Sequence, residues 1–258
     1  MRLEPLDWPR DSGRIRPLLL DRPLSPYRAY SSQLNPCARE RLSLERARRQ
    51  IESGPSTLAT SEDGEVLGLC SWNRLEWDSE QFGFPAAALT LLLAARDTEA
   101  RAIKLHLIDR AIEQCRAAAI RHLVARVEAG DLTSIHALET SGFQMIDGIQ
   151  TFSLRLDGPA PGESPGSFSV RHFEERDIEQ VLEIARTSYV YDRFHADDAL
   201  TPETAGRVNE TWLKESCRGN AAEAVLVAAD SGRVLGYVTC RRDKEAAAVL
   251  GGGFGSIV

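Results

Sequence analysis

The 258-residue sequence lacks the patterns that mark a secreted, membrane-spanning or nucleic-acid-binding protein. Residues 1–10 have no apolar core of a signal peptide, and the longest apolar run, Phe84 to Ala95, is too short to cross a bilayer. A net charge of −7, with no stripe of mixed aromatic and basic residues, disfavours nucleic acid as a partner. We therefore expect a cytoplasmic protein without membrane insertion and without a nucleic-acid partner.

Cysteine is scarce, and its pattern excludes a disulfide framework. The five cysteines are odd in number, widely scattered and contain no Cys-x-x-Cys pair, which favours inert thiols in a reducing compartment. The histidines show no metal-ligand spacing with cysteines or carboxylates. No Gly-x-Ser-x-Gly nucleophile motif is present either. The sequence predicts neither a metal site nor a hydrolase.

What the sequence does have is an internal repeat. Leu58–Trp72 (LATSEDGEVLGLCSW) is similar to Leu226–Cys240 (LVAADSGRVLGYVTC), and both read as a strand, a turn and a strand. Gly68 and Gly236 lie 168 positions apart in this match. Solenoid repeats run roughly 20 to 50 residues, so this spacing indicates two related domains.

The first domain, residues 1–156, has an α/β pattern. The sequence predicts a helix over 39–52, hairpin strands over 56–60 and 66–72, and a buried strand over 84–95. An amphipathic helix follows, with an apolar face formed by Leu105, Ile108, Ile112, Cys115 and Ala119. The last predicted elements are a strand over 122–127, a helix over 132–141 that ends at Gly142, and a strand over 151–156. A strand, a helix and a strand without a hairpin turn form a right-handed crossover between parallel strands. We therefore expect a mixed central sheet.

Residues 157–167 (DGPAPGESPGS) read as a linker because their prolines and glycines do not support regular structure. The second domain, residues 168–258, begins with a strand over 168–171. Two helices follow: one opens near Asp177 with a buried stripe that ends at Tyr189, and the next is capped by Thr201, with Ala205, Val208 and Trp212 pointing inward.

The second hairpin comes next, and the glycines of 251–255 predict a flexible turn before a central strand over 254–258. Only 22 residues follow Gly236. We therefore expect the second domain to be truncated at its C-terminal end.

This order of elements resembles the GCN5-related N-acetyltransferases (GNAT). Further similarity to the TDP-fucosamine acetyltransferases of surface-polysaccharide synthesis rests on four segments: Leu75–Phe84 (LEWDSEQFGF), Tyr191–Asp198 (YDRFHADD), Trp212–Ser216 and Gly236–Arg241. The resemblance implies tandem GNAT-like domains. It also implies transfer of an acetyl group from acetyl-CoA to the 4-amine of a nucleotide-linked 4-amino-4,6-dideoxy sugar.

The resemblance also implies where the chemistry should lie. Family members bind the pyrophosphate of acetyl-CoA in a glycine-containing turn at a helix N-terminus, and they place an Asn near the start of a short helix and a Tyr four residues before its Gly-Phe end. In the first domain, residues 94–102 contain no glycine, and Asp97 and Glu99 would repel phosphate. Asp131 and Leu138 stand at the Asn and Tyr positions. We interpret this domain as a degenerate partner whose counterpart carries the catalysis; the matching turn and tyrosine would lie beyond Val258.

Candidate substrate-binding residues occur in both domains. Arg193, Phe194 and His195 lie between the first two helices of the second domain, where Arg193 could clamp a diphosphate or form a surface ion pair with Asp192 or Asp197. His195 could accept the proton of the sugar ammonium, as could a chain of water molecules.

Trp77, Asp78 and Phe82 could line the sugar-nucleotide site, or they could form an aromatic plug with Asp78 capping nearby amides. Residues Ser256, Ile257 and Val258 would begin the central strand, and the backbone N–H groups of that strand would hold the oxyanion beside acetyl-CoA. The leading hypothesis is an amino-sugar N-acetyltransferase, and a homodimer is one arrangement that the sequence allows. The alternatives are a GNAT enzyme for another amine and a tandem module without catalytic activity.

Overall fold

The computed structural model describes residues 1–21, 27, 32–95, 99–156, 158, 167–188 and 191–257. The chain divides into two compact units, Met1–Met145 and Ile146–Val258. This division precedes the expected border at Leu156, because the strand expected over 151–156 does not form. Residues 157 and 159–166 of the expected linker lie outside the described residues, as do Asp97, Tyr189 and Val258.

The first unit contains a five-stranded sheet with helices on both faces. Its elements are β1 (Arg2–Pro5), α1 (Trp8–Leu20), α2 (Pro36–Glu52), β2 (Ser56–Thr60), β3 (Val66–Arg74), α3 (Glu76–Phe82), β4 (Ala86–Ala94), α4 (Ala100–Ala117), β5 (His122–Ala125) and α5 (Leu132–Thr140). The strand order follows the chain order, with β4 and β5 parallel and the other neighbouring pairs antiparallel. The expected crossover and mixed sheet are confirmed for this unit.

Strand β4 explains why this sheet needs helices on both sides. Leu91 and Leu93 point into a core formed with α1 and α2, whereas Leu89 and Leu92 point into a second core formed with α4. A strand buried on both faces is continuously apolar rather than alternating, which matches the run of leucines in its sequence.

Gly68 lets α4 lie directly on the sheet. A Cβ atom at this position would lie 2.7 Å from the carbonyl oxygen of Leu93 and 2.9 Å from Cγ2 of Ile103, with Cδ1 of Leu107 at 3.2 Å. Two of these three neighbours belong to α4. Any side chain at Gly68 would therefore have to push the helix away from β3.

The second unit contains a four-stranded antiparallel sheet. Its elements are β6 (Ser169–His172), a 3₁₀ turn (Glu175–Asp177), α6 (Ile178–Ser188), α7 (Pro202–Cys217), β7 (Ala224–Asp230), β8 (Arg233–Arg242), α8 (Lys244–Leu250) and β9 (Gly255–Ile257). The strand order is β6-β7-β8-β9. Within the described residues this sheet has no parallel pair.

The two units repeat the same series of elements from their first strand to the strand after the hairpin. Helices α3 and α8 each span seven residues and each end at a glycine in the left-handed region, Gly83 and Gly251, both with φ of 75°. The strand registers also agree, since Trp72 faces Leu89 and Cys240 faces Ile257. These positions keep the spacing of 168 residues found in the sequence.

The hairpin turns differ by one residue. Ala59 faces Gly68 in the first unit, whereas Ala228 faces Gly236 in the second. The first strands of the two hairpins are thus related by 169 positions and the second strands by 168. The ungapped sequence match, which equates Leu58 with Leu226, is shifted by one in this strand: the fully buried counterpart of Leu58 is Val227.

Each unit anchors its first helical segment with a buried carboxylate. Asp11 accepts hydrogen bonds from the backbone amide of Asp7 and from the guanidinium groups of Arg10 and Arg14. In the second unit, Asp177 accepts the amide of Glu174 and a bidentate pair of bonds from Arg171, at 2.6 and 2.8 Å. Both carboxylates have a pKa lowered to about 2, Asp177 chiefly by its bonds to Arg171 and Asp11 by its arginine and amide bonds against the opposing effect of burial.

Several expectations need correction. Residues 151–156 form no strand, and Phe152, Leu154 and Leu156 are exposed. Ala119 follows the end of α4 with φ of 57° and is exposed instead of buried. Residues 244–250 form α8 where only a turn was expected, and β1, α1 and α3 were not predicted. In α7, Ala205 and Val208 are buried as expected, but the next buried apolar side chain is Leu213, and its neighbour Trp212 is only half-buried.

Replacing Gly68 tests the close packing of α4. We expect Gly68→Ala to lower the free energy of unfolding by about 1–3 kcal/mol, because the added methyl group meets a backbone oxygen and two α4 side chains. The matched control is Gly236→Ala, which places its methyl group where no atom lies within 4 Å. Urea denaturation of both variants checks the difference; equal stability would contradict the packing described here.

Candidate functional site

In the first unit, Asp131, which the sequence resemblance aligns with an asparagine, has a structural role. Asp131 is the N-cap of α5, where its carboxylate accepts a bond from the backbone N–H of Ser134 at 3.1 Å. The same carboxylate accepts bonds from the hydroxyl groups of Thr133 and Ser134 at 2.8 and 2.7 Å.

Lys104 adds a buried cation to this cap. Its side chain is 6% exposed, and Nζ lies 2.9 and 3.1 Å from the two carboxylate oxygens of Asp131. Nζ also lies 2.8 Å from the hydroxyl oxygens of Thr133 and Ser134. An ammonium has three protons to donate, so these oxygens satisfy it completely. The cluster joins α4 to α5.

The pKa of Asp131 shows which effect dominates in this cluster. Burial alone would raise the pKa, but the hydrogen bonds from Ser134, Lys104 and Thr133 outweigh burial and lower the pKa to about 2. The carboxylate is therefore ionised at neutral pH and is occupied by its neighbours.

Leu138 is a core residue at the position of the family's tyrosine. It is 6% exposed and packs in the α4 core with Ala137, Cys115 and Ile108. An aliphatic side chain has no proton to donate. The structure therefore agrees with the sequence in giving this position no acid.

Trp77, Asp78 and Phe82, the candidate ligand-binding residues of the 75–84 segment, lie on helix α3. Phe82 packs against Phe84 and against the edge of the His122 ring, with centroids 5.7 and 5.6 Å away. Arg121 stacks on Phe84 at 5.0 Å. Phe82 therefore lies in an aromatic cluster with Phe84 and His122, and its contact with a ligand stays a prediction.

Trp77 lies in the first turn of the same helix and is 36% exposed, and the half-buried Asp78 is one of its acidic neighbours. A contact of Trp77 or Asp78 with a ligand remains a proposal.

In the second unit, Asp192 organises the 191–200 loop. One carboxylate oxygen accepts the backbone N–H groups of Phe194 and His195 at 2.8 and 2.9 Å. The other accepts the side-chain amide of Asn209, on α7, at 2.5 Å. Burial acts to raise the pKa of Asp192, but these bonds and those from His195 outweigh it, so the pKa lies below its ordinary value.

His195 is oriented by the same carboxylate. Its Nδ1 lies 3.0 Å from Asp192 Oδ1, and both side chains are about one-fifth exposed, at 18% and 19%. An ionised carboxylate only accepts, so Nδ1 must donate its proton, and in the neutral ring Nε2 then carries the lone pair. This arrangement is that of an oriented base.

Arg193 stacks on the ring of its neighbour Phe194, with Cζ 4.3 Å from the centroid. Asp192, one expected ion-pair partner of Arg193, accepts hydrogen bonds from His195 and Asn209. The three predicted residues therefore lie together in one Asp192-centred loop.

The predicted cofactor strand forms in part. Ser256 faces Arg241 and Ile257 faces Cys240 in the β8–β9 ladder, while Val258 lies outside the described residues. Within the described ranges, no group of three His, Cys, Asp or Glu side chains is arranged to hold a metal ion. None of the helices described has the length and apolar character needed to cross a membrane.

Sequence reasoning missed Lys104 and Asn209. Lys104 shares the apolar face of α4 with Ile108 and Leu107, and a lysine there signals a buried partner. Asn209 is separated from Asp192 by 17 residues of loop and helix, and no local pattern joins the two.

No protein-family model matches the chain. Among solved structures, a ribosomal-protein-alanine N-acetyltransferase from Brucella melitensis biovar Abortus 2308 is 15% identical, with a TM-score of 0.43 over 60% of this chain and 100% of that one. An aminoglycoside 6'-N-acetyltransferase from Acinetobacter haemolyticus is 13% identical, with a TM-score of 0.42 over 61% and 100%.

One curated relative is similar in sequence. The spore coat polysaccharide biosynthesis protein SpsD of Bacillus subtilis strain 168 is 27% identical over 124 residues. The match covers 48% of this chain and 42% of SpsD, so the chain spans less than half of that relative.

Replacing Lys104 tests the buried cluster. We expect Lys104→Met to lower the free energy of unfolding by about 3 kcal/mol, because it leaves the Asp131 carboxylate buried without its cation. The double variant Lys104→Met/Asp131→Asn should recover part of the loss, since no charge then remains unpaired.

The same cluster predicts a pH dependence. The pKa of Asp131 is about 2 in the folded state, whereas an ordinary aspartate titrates near 3.9. The contribution of Asp131 to the free energy of unfolding is therefore complete above about pH 5 and is lost as the pH falls through 4 toward 2. Urea denaturation at pH 7 and pH 3 checks this. A wild-type-minus-K104M difference that does not shrink at pH 3 would contradict it.

Proposed function

We propose that the chain is part of a tandem GNAT-like N-acetyltransferase that transfers an acetyl group from acetyl-CoA to an amine. In this proposal residues 1–156 and 168–258 derive from two related domains joined by 157–167. The support is the repeated series of elements, with matching registers around β3–β4 and β8–β9. The sequence resemblance supplies the type of reaction.

The proposal assigns the first unit a supporting role. Its Asp131 is bound by Lys104, and its Leu138 is buried among aliphatic side chains. Neither group can protonate a leaving thiolate. These two observations also favour the second candidate function, a tandem module that has kept the fold without the chemistry.

The observation that carries the enzymatic proposal is the His195–Asp192 pair. An amine bound as ammonium must lose a proton before its nitrogen can attack a thioester carbon. His195 Nε2 would accept that proton while Asp192 stabilises the imidazolium that forms. The nitrogen–carbon bond then replaces the carbon–sulfur bond, and backbone N–H groups of the β9 strand would hold the oxyanion of the intermediate. Coenzyme A leaves as the thiolate and takes up the second proton that the amine nitrogen loses when the amide forms.

The proposed acceptor is the 4-amine of a nucleotide-linked 4-amino-4,6-dideoxy sugar. Arg193 would bind the diphosphate, since its planar guanidinium matches phosphate oxygens in pairs. The similarity to a protein of polysaccharide biosynthesis supports a sugar substrate. Another amine remains the alternative acceptor, and a screen of amines separates the two.

Calorimetric titration of acetyl-CoA into the 258-residue chain tests the cofactor first. Micromolar binding, about −8 kcal/mol, is expected if this chain contains the cofactor site. Absence of binding would favour the non-catalytic module for these residues. Ser256→Pro, which removes one backbone N–H of β9, should weaken binding if that strand takes part.

Arg193→Ala tests acceptor binding. We expect at least tenfold weaker binding of TDP-4-amino-4,6-dideoxygalactose, because a charge-assisted bond to the diphosphate is lost. The matched control is Arg176→Ala, whose guanidinium is exposed and bonded to Glu174. If calorimetry gives Arg193→Ala the same affinity for the nucleotide sugar as Arg176→Ala, Arg193 does not bind the diphosphate.

His195→Gln tests the proposed base. We expect kcat to fall by about 10² to 10⁴ with little change in acceptor affinity, and the acidic limb of the pH–rate profile to disappear. Asp192→Asn should shift that limb, because the amide cannot stabilise the imidazolium. A profile that keeps its shape in both variants would assign proton removal to water.

A further inference from the structure

Asn209 is a half-buried amide in the middle of α7. Asparagine is among the less favourable residues in a helix interior, because its side chain competes for backbone hydrogen bonds. Here the side chain reaches the 191–200 loop, where Nδ2 donates to Oδ2 of Asp192 at 2.5 Å. An ionised carboxylate only accepts hydrogen bonds, so the nitrogen of the amide must face it.

The two oxygens of Asp192 are bound from different parts of the unit. Oδ1 accepts the backbone N–H groups of Phe194 and His195 and lies 3.0 Å from His195 Nδ1. These donors belong to the loop itself and move with it. Oδ2 accepts from α7, which is fixed by buried apolar side chains such as Leu213. Within the described residues, the bond from Asn209 is therefore the link between this carboxylate and the helices of the unit.

The number of donors explains why the second oxygen matters. A carboxylate offers about four lone-pair sites over its two oxygens, and three donors already converge on Oδ1. If Asn209 did not bind Oδ2, the carboxylate could turn and share its oxygens among the loop donors. The ring of His195 would then lose its fixed acceptor.

The first unit has a different residue at the same place. Asn209 is the eighth residue after the N-cap Thr201, and Ser43 is the eighth after the N-cap Asn35, with a proline opening each helix. Ser43 is 4% exposed, so this position faces inward in the first unit as well. The second unit thus places a longer, amide-bearing side chain at an inward-facing position of its helix.

We infer that Asn209 is a positioning residue for His195. It acts through Asp192, whose orientation keeps the proton of the neutral ring on Nδ1 and the lone pair on Nε2. The catalytic meaning of this inference rests on the proposed function, in which Nε2 accepts the proton of the amine. Helix α7, and not the loop alone, then sets the direction in which the base points.

Nitrogen-15 NMR of the histidine-labelled 258-residue chain tests the inference without substrate or cofactor. Protonated and unprotonated ring nitrogens have well-separated signals, and His195→Gln identifies those of His195. At a pH where this ring is neutral, we expect the wild type to carry the proton on Nδ1. Asn209→Leu, which replaces the amide with an apolar group of similar size, should lose this tautomer as the major form. Asn209→Ala, which adds no bulk, should do the same.

The matched control is Asn220→Leu. Asn220 also donates its amide to a carboxylate, that of Glu215 at 2.7 Å, but at an exposed site without a bond to the Asp192 loop. This variant loses the same type of hydrogen bond, and we expect it to keep the wild-type signals of His195.

Two results would overturn the inference. One is a His195 tautomer that both Asn209 variants leave unchanged; the other is an equal change in Asn220→Leu. Failure of the proposed function looks different, because His195→Gln would then leave the pH–rate profile unaltered while the ring signals still respond to Asn209. In that case Asn209 positions the ring, and the ring is not the base.

Discussion

A sheet whose two faces are both apolar needs a cover on both sides, and this requirement governs the rest of the structure. In the first unit, β4 sends alternate leucines into two cores, so α1 and α2 must cover one face and α4 the other. Burial of the central strands follows from that three-layer arrangement. The second unit repeats the strands and the first two helices, and its exposed valines show what the strands look like when one layer is absent from the described residues.

In the first unit, Asp131 and Leu138 contribute to stability. A carboxylate that caps a helix and binds a buried lysine has no remaining capacity to engage a substrate. Leu138, four residues before Gly142, has an aliphatic side chain, so it packs in a core and has no proton to donate.

Local patterns in the sequence predicted the hairpins, the crossover and the caps, because turns and helix starts depend on neighbouring residues. Ser56–Thr60 matches its predicted bounds, and Thr201 caps α7 as expected. The strand expected over 151–156 fails because alternation alone provides no hydrogen-bonding partner. Asp192 was considered only as a partner of Arg193, since its bonds to His195 and Asn209 depend on how a loop closes on a distant helix.

The hairpin turns illustrate how two units with the same series of strands can differ in length without a change in the core. Slipping a strand by one residue would turn every side chain to the opposite face. Here the missing residue is confined to the turn, where Ser231 and Gly232 adopt left-handed conformations, and both hairpins keep a bulge at the same place, after Ala59 and after Ala228. The bulge separates turn from ladder, so insertions and deletions at the tip are free to accumulate during divergence while the inward and outward sides of each strand stay fixed.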